Sequence, residues 1–116
     1  MKQIDMRLNH EPFLQILQGE KTVEVRLNDE KRRLIETGDC IRFTDKTGGQ
    51  SFSATVVKLH RFASFSELTA SKEVFPKCGF SGLTPQEATE KMYSYYTKEE
   101  EMRCGVLAIE LILDGR

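Results

Sequence analysis

The chain has 116 residues, of which 39% are hydrophobic and 30% charged. That composition suits one soluble domain and excludes both the low-hydrophobicity signature of disorder and a membrane protein. Seventeen Lys and Arg against eighteen Asp and Glu leave a net charge of -1, which excludes a protein that holds nucleic acid by bulk charge, so any such function must rest on a local patch.

Taken in chain order, Ile4, Met6 and Leu8 alternate with polar residues, the period-2 pattern of a half-buried strand. Asn9 is placed to cap a helix with Glu11 and Pro12 in its first turn and Phe13, Ile16 and Leu17 as its apolar stripe. Gly19 stands where a left-handed residue ends a helix. Residues 22–28 alternate again, with Val23, Val25 and Leu27 on one face and Thr22, Glu24, Arg26 and Asn28 on the other. A short helical turn is expected over Asp29 to Ile35, with Leu34 and Ile35 inward, then a strand near Cys40 to Thr44. Lys46-Thr47-Gly48-Gly49 is a hairpin-turn signal, and Phe52 to Leu59 is the returning strand.

Beyond Arg61, either Ser64 or Ser66 can cap a short helix around Glu67 to Ala70, and Lys72 to Gly82 is irregular. The segment from Ala70 to Leu83 fits a lid or a connector equally well. Thr84-Pro85-Gln86-Glu87 combines a capping Thr, a Pro at the first helical position and a Glu three residues on, and predicts a helix to about Tyr95. Thr97-Lys98-Glu99-Glu100 repeats the signal. Val106 to Leu113, broken only by Glu110, reads as a central buried strand. The expected architecture is α+β over residues 1–116 as one domain: a small barrel of mostly antiparallel strands with two to three helices packed at its openings.

Compartment signals are few. An acid at position 5, where a signal peptide's apolar core should begin, and the lack of any long apolar run predict a cytoplasmic protein without a membrane partner. Cys40, Cys78 and Cys104 are odd in number, widely spaced and read as reduced, mostly buried thiols. With only His10 and His60 as imidazoles, neither a metal site nor a cofactor is expected.

Chemistry concentrates in Gly19-Glu20-Lys21-Thr22-Val23-Glu24-Val25-Arg26. Lys21 stands at the start of a strand from which Glu24 and Arg26 project on one face. Lining a cleft, they offer an ammonium, a carboxylate and a guanidinium to a polar ligand. Arg presents a planar fork, Lys a point charge and Glu an acceptor for an exocyclic amine. The spacing equally fits a solvated sheet face whose ion pairs are worth under about 1 kcal/mol.

The octet resembles the GxKxxExR signature of the ASCH domain, the activating-signal-cointegrator homology domain of the PUA-like superfamily. Arg26 to Arg32, Gly38-Asp39-x-Ile41-x-Phe43, and blocks within Tyr95 to Ile109 are similar to small bacterial stand-alone members. The resemblance implies a PUA-like β-barrel whose cleft binds RNA or a nucleotide-like small molecule. Lys21, Glu24, Arg26, Asn28, Lys31, Arg32 and Tyr96 are then the candidate binding residues, with Gly19 as the motif glycine. Tyr93 and Tyr95 are further stacking candidates, and Glu99 to Glu101 reads as a solvated or helix-starting feature. Residues 1–61 carry 11 basic and 9 acidic groups, the rest 6 and 9, which argues for a compact patch rather than a phosphate-tracking groove.

The resemblance also implies an alternative, since some ASCH-type proteins remove the acyl group from N4-acylated cytidine and others are proposed ribonucleases. In the amidohydrolase-like members the motif Lys pairs with a Thr three residues on and with a distant Glu. Here Glu24 occupies the Thr position, so the hydroxyl nucleophile is missing there, and Thr22 has a different spacing although alternation turns it toward the cleft. Lys21 and Glu24 are the catalytic candidates in that case, with Glu24 activating a water once burial raises its pKa. Glu67 and Glu73 compete as the distant acid. His60, the one tempting imidazole, reads as an exposed structural residue.

Overall fold

The computed structural model describes residues 1–115. Its elements are β1 (Gln3–Leu8), α1 (His10–Leu17), β2 (Val23–Leu27), a 3-10 turn (Arg32–Leu34), β3 (Cys40–Asp45), β4 (Ser51–Phe62), α2 (Phe65–Ala70), a second 3-10 turn (Phe75–Lys77), α3 (Pro85–Met92), α4 (Lys98–Cys104) and β5 (Val106–Leu113). The five strands form one curled sheet in the order β1-β3-β4-β5-β2. β1 runs parallel to β3 and every other pairing is antiparallel. The expected α+β architecture of mostly antiparallel strands with helices packed on it is therefore present, the small barrel taking the form of a half-barrel with one parallel pairing in it.

β4 is longer than its apolar pattern predicts. Its first half pairs with β3 and most of its length with β5, and a register shift between Val56 and Lys58 breaks the alternation. Such an irregularity bends a strand and increases its twist. The two edge strands, β1 and β2, approach each other at the mouth of the curl, where Arg26 Nη2 donates to the Arg7 carbonyl at 3.0 Å.

Both faces of the sheet are covered, so β5 is nearly continuously apolar rather than alternating. Leu107, Ile109 and Leu111 pack on one side with Met6, Leu8, Phe13 and Ile16, beneath α1. Val106 and Ala108 pack on the other with Val23, Val25, Phe65, Leu68 and Met92. Because Glu24 pairs with Ile109 and Arg26 with Leu107, the two polar side chains project on the α1 side, at the open edge of that core.

Local signals explain most boundaries. Thr84 and Thr97 each form a full capping box, with Glu87 and Glu100. Of the two candidate serines, Ser64 caps α2. Asn9 precedes α1 without a side-chain capping bond. α3 stops at Met92 rather than Tyr95, and residues 93–96 continue as hydrogen-bonded turns such as Tyr95 N–H to the Met92 carbonyl. Leu34, expected inward, is 66% exposed while Ile35 is buried. The 3-10 turn ends at Leu34, and Ile35 switches to extended backbone, which turns only the second side chain into the core. Among the described residues no helix is long and apolar enough to cross a membrane.

Candidate functional site

α1 ends in a tight reversal. The Gly19 N–H donates to the Ile16 carbonyl, and the N–H groups of Glu20 and Lys21 both donate to the Gln15 carbonyl. Gly19 holds φ +83, a conformation that a Cβ disfavours. The reversal delivers Lys21 to the start of β2 with its side chain 10% exposed, beside Glu24 at 6% and Arg26 at 15%. Lys21 Nζ lies 3.0 Å from Glu24 Oε1, and Arg26 Nε donates to Glu24 Oε2 at 2.6 Å. The pattern of a solvated sheet face is thereby replaced by a buried cation–anion–cation triad. Burial pushes the Glu24 carboxyl up, but the charges and hydrogen bonds of Lys21 and Arg26 outweigh it and hold the group below its ordinary range.

The triad floors a cavity of about 410 Å³. One wall is the end of β1 with the first turns of α1, contributing Arg7, Leu8, Asn9, Glu11, Pro12 and Gln15. A second wall is Cys78, Gly79 and Phe80 from the irregular segment, with Lys91, Met92, Tyr95 and Tyr96 from the end of α3 and beyond. Lys46 completes the rim. Five cations and two carboxylates therefore face one cavity in a chain whose net charge is -1.

The irregular segment is a wall of this cleft. The Lys77 carbonyl accepts from Thr22 N–H at 3.0 Å, and the Gly79 carbonyl accepts from Gln15 Nε2 at 3.1 Å. Gly79 has φ +79, and a Cβ there would stand 2.8 Å from Gln15 Oε1 and 2.9 Å from Lys21 Cδ. Only glycine lets the backbone lie this close against the lysine stem. Cys78 is buried behind it, its thiol pushed up to about 12 by burial.

The sequence profile of the ASCH domain matches residues 6–114, nearly the whole chain. This chain belongs to the ASCH domain family. Among solved structures, the domain is similar to a hypothetical protein known from a crystal structure, with 34% identity, 97% of this chain and 99% of that one covered, and a TM-score of 0.84. It is also similar to a Pyrococcus furiosus protein solved by NMR, with 31% identity, coverages of 98% and 99%, and a TM-score of 0.77. The ASCH protein of Zymomonas mobilis shares the fold at 18% identity, with coverages of 95% and 66% and a TM-score of 0.65. Functionally curated proteins provide no match.

In this ASCH domain, the residues anticipated for the site divide in two. Lys21, Glu24, Arg26, Tyr95 and Tyr96 all line the cavity. Tyr96 stacks on Phe65 with ring centroids 5.8 Å apart, and burial raises its phenol pKa. Gly19, Asn28, Lys31 and Arg32 are not brought to the cavity. Gly19 acts through the chain reversal, and Arg32 pairs with Asp29 at 3.5 Å, close enough to Tyr96 for its charge to act on the phenol. Asn28 leaves its buried Oδ1 without a partner, and Lys31 is exposed. Tyr93 lies in the second core, where its hydroxyl donates to Glu101 Oε1 at 2.7 Å.

Five further expectations are corrected. Thr22 is exposed and lies outside the cavity. His60 is not exposed: its side chain is 11% accessible, and Nε2 sits 3.0 Å from Glu110 Oε1. It pairs with Ala108, on the sheet face opposite Glu24. Glu101 is buried rather than solvated and accepts from Phe65 N–H. Of the thiols, only Cys78 is buried, Cys40 and Cys104 being half-buried. Glu67 and Glu73 are exposed, Glu73 paired with Lys58 at 3.3 Å, and neither lines the cavity.

Proposed function

We propose that this cleft binds a single nucleotide unit, presented either by RNA or by a nucleotide-like small molecule. The observation that carries the reading is the convergence of Lys21, Glu24 and Arg26, all largely buried, on the floor of one cavity flanked by Tyr95 and Tyr96. Its volume of about 410 Å³ falls in the lower part of the range that ligand pockets occupy, roughly 300–1,000 Å³. Hydrogen-bonding capacity remains on the floor. An ammonium carries three N–H groups and a guanidinium five, of which the protein contacts one on Lys21 and two on Arg26. These donors suit the carbonyl oxygens and ring nitrogens of a base, the second lone pairs of Glu24 suit an exocyclic amine, and exposed Tyr95 offers a stacking face.

Binding is favoured over hydrolysis by the state of the potential catalytic groups. The condition for Glu24 to serve as a water-activating base was a raised pKa, and its two cations lower it instead; a carboxylate held ionised in this way is a weak base at neutral pH. Thr22 and His60 point elsewhere, and the Cys78 thiol stays protonated.

Titration calorimetry with short single-stranded RNA and with the four nucleoside monophosphates tests the reading. Lys21→Met keeps the stem against Gly79 and removes the charge, and Arg26→Lys keeps the charge and removes the fork. Each is expected to weaken binding about tenfold, the loss of one good charge-assisted contact. Unchanged affinity in both variants, or a mass change in N4-acylated cytidine incubated with the protein, contradicts the proposal.

A further inference from the structure

We infer that Arg7, Lys46 and Lys91 form a phosphate subsite at the mouth of the cleft, so that the ligand is a phosphorylated nucleotide held base inward rather than a neutral nucleoside; this rests on the nucleotide reading above. The three residues come from three separate elements. Arg7 is the penultimate residue of β1, and Lys46 opens the turn after β3, its N–H bonded to the Leu8 carbonyl at 2.9 Å, so both stand on the same wall. Lys91 belongs to the last turn of α3 and lines the same cavity.

Charge assigns the orientation. On the floor, both oxygens of Glu24 are engaged by Lys21 and Arg26, and a phosphate placed there would be desolvated beside a buried carboxylate, which like-charge repulsion disfavours. At the rim three cations stand against one acid, whereas the floor sets two against one and engages both. Among the described residues Arg7, Lys46 and Lys91 have no ion-pair partner. The one acid lining the rim is Glu11, and nearby Asp45 is turned to His10 Nδ1 and the Thr47 N–H. Exposed cations without ion-pair partners around one cavity, two of them lysine ammonium groups that act as point charges without demanding a fixed geometry, suit a phosphate that keeps part of its hydration.

The experiment compares each of the four nucleosides with its 5′-monophosphate, and adds a trinucleotide of the preferred base, against the full chain at low salt. The monophosphate is expected to bind at least about tenfold tighter than its nucleoside. The ratio should fall severalfold in Lys91→Ala and toward one in the combined Arg7→Ala, Lys46→Ala, Lys91→Ala variant. Arg42→Ala, whose guanidinium lies on Ser51 outside the cleft, should leave the ratio unchanged. A trinucleotide that binds tighter still, with the same dependence on the three cations, places the phosphate in an RNA strand; a trinucleotide no better than the monophosphate places it in a small molecule. Equal affinity for nucleoside and monophosphate overturns the subsite while leaving the cleft reading intact. A ratio that responds to Lys31→Ala and Arg33→Ala but not to the rim variants overturns it as well. If no nucleoside or nucleotide binds, the underlying reading fails and takes the subsite with it.

Discussion

Replacing Glu24 with Ala removes the anion from between two cations whose side chains are 10% and 15% exposed. Breaking a buried ion pair by deleting one partner costs about 3–5 kcal/mol, because the other charge remains desolvated and unpaired. Here both remaining cations border the cavity and recover some water, so the lower end, about 3 kcal/mol, applies. For a chain of this size that is a loss of about 10 °C in melting temperature. Replacing the whole triad with apolar residues of similar volume, Lys21→Met, Glu24→Leu and Arg26→Met together, leaves no orphan charge and should stay within about 2 kcal/mol of the parent, the Arg26 bridge to Arg7 accounting for part of the difference. Urea unfolding at neutral pH measures both, read as midpoint shifts at constant slope. A cost below about 1 kcal/mol for Glu24→Ala contradicts a buried triad, since only a solvated one behaves so. A triple variant worse than the single one shows that the triad is kept for stability and not for a ligand.

Three other outcomes follow from the same geometry. Gly79→Ala should cost about 2–3 kcal/mol, combining a left-handed backbone with the contacts on Gln15 and Lys21, whereas Gly82→Ala, at φ +77 in open space, should cost only about 1 kcal/mol; urea unfolding of the two variants with similar losses would remove the packing term. Asp39, buried, accepts from the N–H groups of Lys2 and Glu36 and is lowered from 3.8 to about 2. A depressed folded-state pKa means its contribution of about 2 kcal/mol is present above pH 4 and lost as pH falls toward 2, so the stability gap between the parent and Asp39→Asn should close over that window, and a gap independent of pH contradicts it. A thiol reagent should label Cys40 and Cys104 in the native protein well before Cys78, whose thiol is buried and pushed up to about 12; equal labelling rates would mean that the Cys78–Phe80 wall opens.

Much of the fold was legible because its signals are local. Both capping boxes, the glycine reversal at Gly19 and the alternation of β2 depend on residues within four positions of one another. The floor of the cleft was legible for the same reason, as Glu24 and Arg26 sit on one strand and Lys21 lies just before it. The walls were not. Arg7 and Lys46 reach the cavity only because the curl of the sheet brings the edge strand β1 to β2, and Gly79 and Phe80 only because an irregular segment hydrogen-bonds back to Gln15 and Thr22. The parallel pairing of β1 with β3 left no periodic trace. Glu101 was hidden in an acidic run, since nothing within Glu99 to Glu101 distinguishes the one carboxylate that turns inward to Tyr93 and Phe65.

Nucleotide binding in the cleft is tested most directly by a nitrogen–proton NMR titration of the labelled protein with a nucleoside monophosphate and with a short single-stranded RNA. Binding in the cleft predicts that the shifted amides concentrate in residues 7–9, 21–26, 78–80 and 91–96, on both walls and the floor together. Shifts confined to residues 30–34, or spread over the surface without touching Lys21, Glu24 and Gly79, would place the ligand elsewhere and contradict the account.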